Sequence, residues 1–365
     1  MHFTTRHYVP CLRWKQGEYE AIFRLSTSAK NFITPLIEIP EIGYDFETQN
    51  EAKTIDKHLA RFGRRLEANW RFGKSFLDLK LVESHHRMED GRHPLTYIFD
   101  EIGDRNCSAV PVTGIARNDA YQRAVSEIVQ RNGNQLCVRV ALEEAADANV
   151  GAGITELLSF HRTTPEKCDC VLDLGAPNFE PIDGFSALVQ GVIEHMPHLS
   201  EWQTFTLVGT AFPPSMGDLS EGAATCPRHE WASYKTVAKN LAFRDLRVPT
   251  FGDYAVNHPN VLMGDMRRIT PATNIRYTID DAWLIIKGKS RKYGYQQYKG
   301  LCETLIRREE YMGASFSTAD AYIAKCARGQ EKTGNPTRWR RNATNHHIEK
   351  VLRDVANFCD SSGLG

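Results

Sequence analysis

Six short stretches with the composition of buried β-strands each carry a charged residue where an apolar one is expected. The charged positions are, in chain order, Arg13, Glu38, Asp78 with Lys80, Arg139, Asp173 and Asp253. Apolar residues lie on both sides of most of them, for example Leu77 and Leu79 around Asp78. Because side chains alternate between the two faces of a strand, the charges should share one face. Unpaired buried charges are costly, so the charges on this face must pair with one another, be hydrated or contact a ligand.

Two kinds of chemistry fit these residues. Four carboxylates could bind a divalent metal through hard oxygen ligands or serve as general acid and base, namely Glu38, Asp78, Asp173 and Asp253. Lys80 and Arg139 could hold a phosphate and stabilise developing negative charge. Further candidates for ligand contacts lie near the ends of predicted strands: Arg13, Lys15, Thr113 and Tyr254. The alternative is a self-neutralising lattice of ion pairs that only fixes the strand register, and the sequence leaves both open.

The elements that must position these residues alternate regularly between strand and helix. Predicted strands lie at 8–14, 35–41, 75–82, 109–115, 136–142, 169–175, 204–211 and 249–256. A helical segment follows each strand, the last one near 260–268. Eight such pairs over about 270 residues are the count and length of a (β/α)8 barrel. A doubly wound open sheet would show uniformly aliphatic central strands and a glycine-rich first turn, which are absent here. We therefore predict a barrel over residues 1–270.

The pattern changes near residue 271. Two strand-like runs, 274–279 and 282–287, flank Asp280 and Asp281 and predict a β-hairpin. Helices are predicted at 296–310, at 318–327 and, after a Thr344–Asn345 cap, at 344–358. We expect residues 271–365 to form a C-terminal appendage packed on the barrel.

This C-terminal part is basic although the whole chain has a formal net charge of zero. Residues 287–353 contain fifteen Lys or Arg and six Asp or Glu, which indicates either a surface for an anionic partner or attraction to the acidic remainder. Lys287 and Lys289 lie in a Gly/Lys turn that could contact phosphate, with a solvated basic loop as the alternative. Arg338, Trp339, Arg340 and Arg341 combine charge with a stacking ring, as in proteins that bind single-stranded nucleic acid. The alternative for these four residues is a capped helix with a tryptophan anchor.

Composition narrows the class of protein. Of 365 residues, 41% are hydrophobic and 25% are charged, which is typical of a soluble globular protein. No apolar run is long enough to predict a membrane span, and the first residues lack the apolar stretch of a signal peptide. Nine cysteines without paired spacing are typical of a reduced protein. We expect a cytoplasmic protein.

Several motifs together resemble a known family. They are residues 8–21 (YVPCLRWKQGEYEA), 35–39 (PLIEI), 276–288 (RYTIDDAWLIIKG), 315–323 (SFSTADAYI) and 334–339 (GNPTRW) with 345–347 (NHH). In this combination the chain resembles the phage "beta protein" family, which is found in phages, prophages and bacterial mobile elements. The resemblance implies a role in phage–host conflict: exclusion, antiviral defence or restraint of a neighbouring toxic gene product. It implies no catalytic residues.

The sequence thus predicts a phage-conflict protein whose barrel mouth binds an anionic, phosphorylated ligand. The alternative is a metal-dependent phosphodiesterase or nuclease, with a divalent metal held by the carboxylates. A protein partner encoded alongside the chain is expected in a toxin–antitoxin-like module, and nucleic acid or a nucleotide could contact the basic C-terminal part. Turnover of the ligand is left open by the sequence.

Overall fold

The computed structural model describes residues 3–71, 73–260 and 272–364. Its strands, in chain order, are β1 (Tyr8–Arg13), β2 (Leu36–Glu38), β3 (Tyr44–Asp45), β4 (Asn50–Glu51), β5 (Ser75–Asp78), β6 (Ala109–Thr113), β7 (Leu136–Ala141), β8 (Cys168–Asp173), β9 (Thr204–Gly209), β10 (Gly222–Pro227), β11 (Thr250–Asp253), β12 (Ala272–Thr278) and β13 (Ala282–Ser290). Its α-helices are α1 (Gln16–Phe23), α2 (Thr27–Asn31), α3 (Ile55–Leu59), α4 (Phe62–Asn69), α5 (Pro94–Gly103), α6 (Asp119–Arg131), α7 (Leu142–Ala145), α8 (Val150–Phe160), α9 (Ile182–Glu194), α10 (His229–Phe243), α11 (Gln297–Ile306), α12 (Thr318–Ala327) and α13 (Pro336–Ser362).

Eight of these strands form a closed parallel barrel in the order β1-β11-β9-β8-β7-β6-β5-β2. Parallel pairing of β1 with both β2 and β11 closes the cylinder. The predicted (β/α)8 barrel is confirmed, with each predicted strand overlapping an observed one. The helix predicted near 260–268 lies outside the described residues except for residue 260.

Alternation along the strands separates two apolar layers. Inward-pointing residues fill the inside of the barrel and include Val9, Leu36, Phe76, Val112, Val171 and Val208. Outward-pointing neighbours such as Ile37, Leu77, Val138 and Leu172 pack under the helices in the main core. The strand register then places Arg13 beside Glu38 and Glu38 beside Asp78. The charged residues therefore occupy one level, at the carboxyl end of the strands.

Helix α6 illustrates how the sequence sets the outer layer. Its N-cap is Asn118, whose side chain accepts a hydrogen bond from the backbone N–H of Tyr121 at 3.0 Å. Val125, Ile128 and Val129 recur at helical spacing and are fully or almost fully buried against the barrel. The helical segment predicted after the fourth strand is thus confirmed.

The C-terminal part is built on a three-stranded antiparallel sheet, in the order β10-β13-β12. Strands β12 and β13 are the predicted hairpin. The third strand, β10, comes from the long connection between β9 and α10 and was not predicted, because its sequence (GAATCP) has few β-forming residues. Helices α11 and α12 cover the sheet and share its apolar core, which contains Ile275, Tyr277, Leu284, Tyr298, Leu305 and Ile323.

Helix α13 joins this part to the barrel. Its residues Ile348, Val351, Val355 and Phe358 belong to the main core, and the Phe358 ring lies 5.7 Å from that of Trp231 in α10. The helix starts eight residues before the predicted position: Asn335 is the N-cap and Pro336 the first residue, while Thr344 and Asn345 are buried inside the helix. The predicted cap was wrong because the Asn–Pro pair is the stronger start signal. The boundary between the predicted domains lies among residues 261–271, which the structure does not describe, so it stays a prediction.

None of the described helices combines the length and apolarity needed to cross a bilayer.

A buried polar contact fixes α13 to the barrel. The carboxylate of Asp253 accepts hydrogen bonds from His347 Nε2 at 2.9 Å, from the Tyr8 hydroxyl and from the backbone N–H of Ala255. Burial lowers the pKa of His347, so the ring is neutral and its Nδ1 accepts from the Thr278 hydroxyl at 2.8 Å. Burial alone would raise the pKa of Asp253, but His347 and the hydrogen bonds lower it, so the carboxylate stays ionised.

We predict that Asp253→Ala loosens α13 from the barrel. The substitution leaves the Tyr8 hydroxyl and His347 Nε2 buried without an acceptor, which should lower the free energy of unfolding by about 1–3 kcal/mol for each group. Denaturant unfolding measures this loss, and limited proteolysis of the native protein should cut more rapidly near the start of α13. Asn357→Ala, an exposed position on the same helix, is the control and should change stability by less than about 0.5 kcal/mol. Equal stability of the two variants would contradict the role of Asp253.

Candidate functional site

A buried arginine lies at the centre of the charged residues at the barrel mouth. Arg139 Nη1 donates to Glu38 Oε1 at 2.9 Å and to Asp78 Oδ2 at 2.8 Å. Its Nε and Nη2 donate to Asp173 Oδ2 at 2.9 and 2.7 Å, and Nη2 also lies 2.8 Å from the Tyr254 hydroxyl. The Arg139 side chain is only 4% exposed. One guanidinium therefore links carboxylates from three different strands, β2, β5 and β8.

Three further cations surround these carboxylates. Lys80 Nζ lies 3.0 Å from Glu38 Oε1 and 3.7 Å from Asp173 Oδ2. Arg13 Nε lies 3.9 Å from Glu38 Oε2, and Arg117 Nη2 donates to Asp78 Oδ1 at 2.7 Å. We call the eight residues the mouth cluster: Arg13, Glu38, Asp78, Lys80, Arg117, Arg139, Asp173 and Tyr254. Four cations face three carboxylates in it, which leaves one positive charge in excess.

Sequence analysis missed Arg117. It lies beyond the predicted strand and directly before the N-cap Asn118, which places it at the carboxyl end of β6. A cation between a strand end and a helix start is a signal that could have identified it. The preceding Gly114 allows this loop to lie close to β7, because a Cβ atom there would be 2.6 Å from the carbonyl oxygen of Arg139.

Asp78 and Asp173 of the cluster are held in their ionised form. Burial alone would raise the pKa of Asp78, but the guanidiniums of Arg117 and Arg139 outweigh burial and lower it. The same balance, with Arg139 and Lys80 as the cations, lowers the pKa of Asp173. Burial and the adjacent Asp173 raise the pKa of Tyr254, whose hydroxyl therefore stays protonated and donates to Asp173 at 2.8 Å. Neither Asp78 nor Asp173 therefore carries a proton that a general acid could give at neutral pH.

A cavity of about 320 Å³ opens beside the cluster, between the loops that follow β5 and β6. Its wall includes Lys80 and Arg117 together with His86, His93 and Asn118. Burial and the nearby Arg87 lower the pKa of His93 to about 4, so this imidazole is neutral. The side chains of Lys80 and Arg117 are 25% and 20% exposed, in contrast to Arg139. Two cations of the mouth cluster thus reach the cavity, whereas the cluster's three carboxylates do not line it.

Three predicted site residues lie elsewhere. Asp253 points outward to α13, so the prediction that it shares the charged face is wrong; Tyr254, the next residue, is the one that points inward. Thr113 also points outward and donates to Gln122 Oε1 at 2.8 Å in the helix layer. Lys15 is at the exposed rim, where it pairs with Glu41 at 3.3 Å.

In the predicted basic turn of the hairpin, Lys287 makes contacts that stabilise the fold. Lys287 Nζ donates to the backbone carbonyls of Met216, Gly217 and Leu219, which fastens the connection before β10 to the hairpin. Lys289 is exposed, and its backbone N–H donates to Gln297 Oε1 at 2.9 Å. The structure does not bring these two lysines to the mouth cluster.

The predicted nucleic-acid motif does not form a stacking surface. Trp339 is 5% exposed, and its ring stacks on Tyr298 with centroids 4.3 Å apart. Arg340 donates to the backbone carbonyl of Val256 at 2.9 Å. Arg341 lies 3.4 Å from Glu20, and Arg338 lies over the Tyr322 ring. The motif anchors the start of α13, as the alternative interpretation held, so Trp339 cannot stack on a base in this fold.

A comparison with protein families agrees with the motifs. A family model described as "Beta protein" matches residues 8–353. Among solved structures, the chain is similar to triosephosphate isomerase from Bartonella henselae, with 12% sequence identity and a TM-score of 0.32. That similarity covers 67% of this chain and 90% of the isomerase. No curated protein matches the chain. The barrel assignment itself rests on the strand order.

Removing the central guanidinium should destabilise the protein strongly. Arg139→Met removes the buried guanidinium that donates to Glu38, Asp78 and Asp173 and so leaves these carboxylates without their shared hydrogen bonds. We expect a loss of about 3–5 kcal/mol. Guanidinium chloride unfolding, followed by tryptophan fluorescence, measures it. The matched control is Arg131→Met, which breaks an exposed ion pair with Asp100 and should cost less than about 1 kcal/mol. A similar small loss for Arg139→Met would contradict the central role of this residue.

Stability should also fall in acid. Because the pKa values of Asp78 and Asp173 are lower in the folded than in the unfolded chain, the folded state is favoured while both are ionised. This contribution is fully present above the ordinary carboxyl pKa of about 4 and is lost as the pH falls through the lower folded-state values. Unfolding free energies measured from about pH 7 to about pH 3 check this. Asp78→Asn should flatten the acid limb of that profile, and an unchanged limb would contradict the assignment.

Proposed function

We propose that this chain, which belongs to the Beta protein family, binds an anionic, phosphorylated ligand at its barrel mouth and acts in phage–host conflict. The observation that carries the binding proposal is the position of Lys80 and Arg117. Both line the cavity of about 320 Å³ and are partly exposed, while the carboxylates they neutralise are buried behind them. The cavity wall also contains Glu83, but the carboxylates of the mouth cluster do not line the cavity, so an anion that enters it meets Lys80 and Arg117 before those carboxylates.

The surroundings of the cavity support the same ligand class. The excess positive charge of the mouth cluster attracts an anion, and a lysine and an arginine are common phosphate ligands. Helix α6 starts at the cavity wall with Asn118, so the positive end of its dipole adds to the potential. The cavity is also at the end of the strands where the loops of barrel proteins bind their ligands.

Binding is favoured over hydrolysis at the mouth cluster itself. Each of the three carboxylates already accepts hydrogen bonds from Arg139 and lies next to a second cation. A metal at this position would have to displace those cations, and an acid would need a raised pKa where Asp78 and Asp173 have lowered ones. The cluster is therefore organised for recognition, with its carboxylates fixing the cations in place.

The biological setting comes from the family resemblance. Phage and prophage beta proteins imply a role in defence, exclusion or restraint of a toxic gene product, and a ligand-binding barrel suits a sensor that responds to phosphorylated metabolites. A protein partner encoded alongside the chain would then carry the response. The basic residues of the C-terminal part that remain exposed, such as Lys289, are where an acidic partner could dock.

The first test is direct binding of pyrophosphate, measured by calorimetry. Lys80→Ala should weaken binding by about tenfold or more, because a hydrogen bond to a charged group contributes roughly 1.5–3 kcal/mol. Lys167→Ala, an exposed lysine in the loop before β8, is the matched control and should bind as the unaltered protein does. The affinity should fall as salt is added. Equal affinities of the two variants, or no binding at all, would overturn the ligand proposal.

The second readout of the same variants is phage protection. Cells that express the protein with its neighbouring genes are challenged with phages, and plaque counts are compared with those of cells that lack it. We expect Lys80→Ala to lose protection and Lys167→Ala to keep it, at equal protein levels. Full protection by Lys80→Ala would show that the cavity has no part in the conflict role.

A further inference from the structure

A second group of chemically active side chains lies at the rim of the same cavity. Glu51 comes from β4, and His85 and His86 come from the loop after β5. Glu51 Oε1 lies 2.9 Å from His86 Nε2, and the rings of His85 and His86 have centroids 4.2 Å apart. One potential ligand atom from each of the three residues lies within 4.8 Å of the others. Among the described residues, this is the one such group of three His, Cys, Asp or Glu side chains.

The barrel topology explains why these distant residues meet. Strands β2 and β5 are neighbours in the barrel, so the segments that follow them leave the same end side by side. The segment after β2 forms the short antiparallel pair β3–β4, whose last residue is Glu51. The segment after β5 carries the two histidines towards it. His86 is 8% exposed and the Glu51 side chain 39%, so the group is anchored on one side and accessible on the other.

We propose that Glu51, His85 and His86 form a binding site for a divalent transition metal of the zinc type. Two imidazoles and a carboxylate are ligands that zinc accepts, whereas calcium and magnesium require oxygen ligands alone. Two ligands of one tetrahedral ion with bonds of about 2.0–2.1 Å lie roughly 3.3–3.4 Å apart. Glu51 Oε1 and His86 Nε2 are now at the hydrogen-bond distance of 2.9 Å, so a slight separation of the two groups would admit the ion. Only a small movement of the exposed His85 completes the set.

The composition of the site indicates what the metal would do. Three protein ligands leave one coordination position open, which is typical of zinc sites that bind a substrate or water rather than of structural sites. His86 also lines the cavity that contains Lys80 and Arg117. A metal ion here would add a double positive charge to the wall on which an anion would bind. Metal binding does not depend on the proposed phosphate ligand, because the ligand set is complete without it.

This location differs from the carboxylate metal site that the sequence offered as an alternative. The carboxylates of Glu38, Asp78 and Asp173 are bound to cations, and Asp253 is buried against α13. The histidine pair of the loop is adjacent in sequence, which in a helix would direct the two rings to different faces. In an irregular loop the backbone can direct both rings to one point.

The experiment uses the full chain after treatment with a chelator, and cobalt(II) and zinc as the probes. We expect one equivalent of cobalt(II) to bind with the visible absorption of a coordinated ion, and zinc to displace it. His85→Ala should reduce cobalt affinity by at least about tenfold, since loss of a mere supporting group already costs that much. Glu51→Gln should do the same. His195→Ala, an exposed histidine on α9's C-terminal end, is the matched control and should leave binding unchanged.

The choice of variants also separates a loss of metal binding from a loss of folding. His86 is buried, so its substitution is not used, and the exposed His85 and Glu51 are altered instead. Circular dichroism and the thermal midpoint of each apo variant should match those of the unaltered apo protein. The proposal is overturned if the unaltered protein takes up no cobalt, or if His85→Ala and Glu51→Gln bind it as tightly as His195→Ala. Because no phosphate is present in this titration, its failure would leave the pyrophosphate result standing, and the reverse also holds.

Discussion

The structure depends on the burial of one guanidinium among three carboxylates inside the mouth of a barrel. Each of these ions would be too costly to bury alone, and each is tolerated because the others and Tyr254 surround it. Their positions on β2, β5, β7 and β8 mean that the contact exists only when the strands have the correct register. The same ions hold Lys80 and Arg117 at the cavity. Structural specificity and the proposed anion binding therefore have one origin.

Much of the barrel could be predicted because alternation is a local signal. A charged residue between two aliphatic residues, such as Arg139 between Val138 and Val140, shows which side chains of a strand share a face. This assignment does not require knowing which strands lie next to it in the barrel. Asp253 shows the limit of this signal: glycine at 252 gave no indication of which face of β11 is apolar, and the inward residue is Tyr254. Arg117 could not be assigned from a strand pattern, since it lies in a loop whose course depends on the close approach at Gly114.

The C-terminal part shows a different limit. Its hairpin and helices have strong local signals, but the sheet needs β10, a segment with weak strand propensity that only pairing with β13 makes into a strand. The aromatic and basic motif at 338–341 has the composition of a nucleic-acid surface, yet tertiary packing buries Trp339 on Tyr298. Glu51 is separated from His85 by more than thirty residues, and only the adjacency of β2 and β5 brings them together. No linear sequence motif indicates that Glu51 and His85 lie close together.

The packing of α13 between α1 and α10 also constrains the order in which the protein can fold. The last helix covers the first strand, and Glu349 accepts a hydrogen bond from the backbone of Ser26, 323 positions earlier. During synthesis the outward apolar face of β1 therefore stays uncovered until α13 has left the ribosome. Nascent chains that stop before residue 336 lack this cover. Truncation or interrupted translation before α13 is complete would therefore leave β1 without its cover and lower the amount of folded protein.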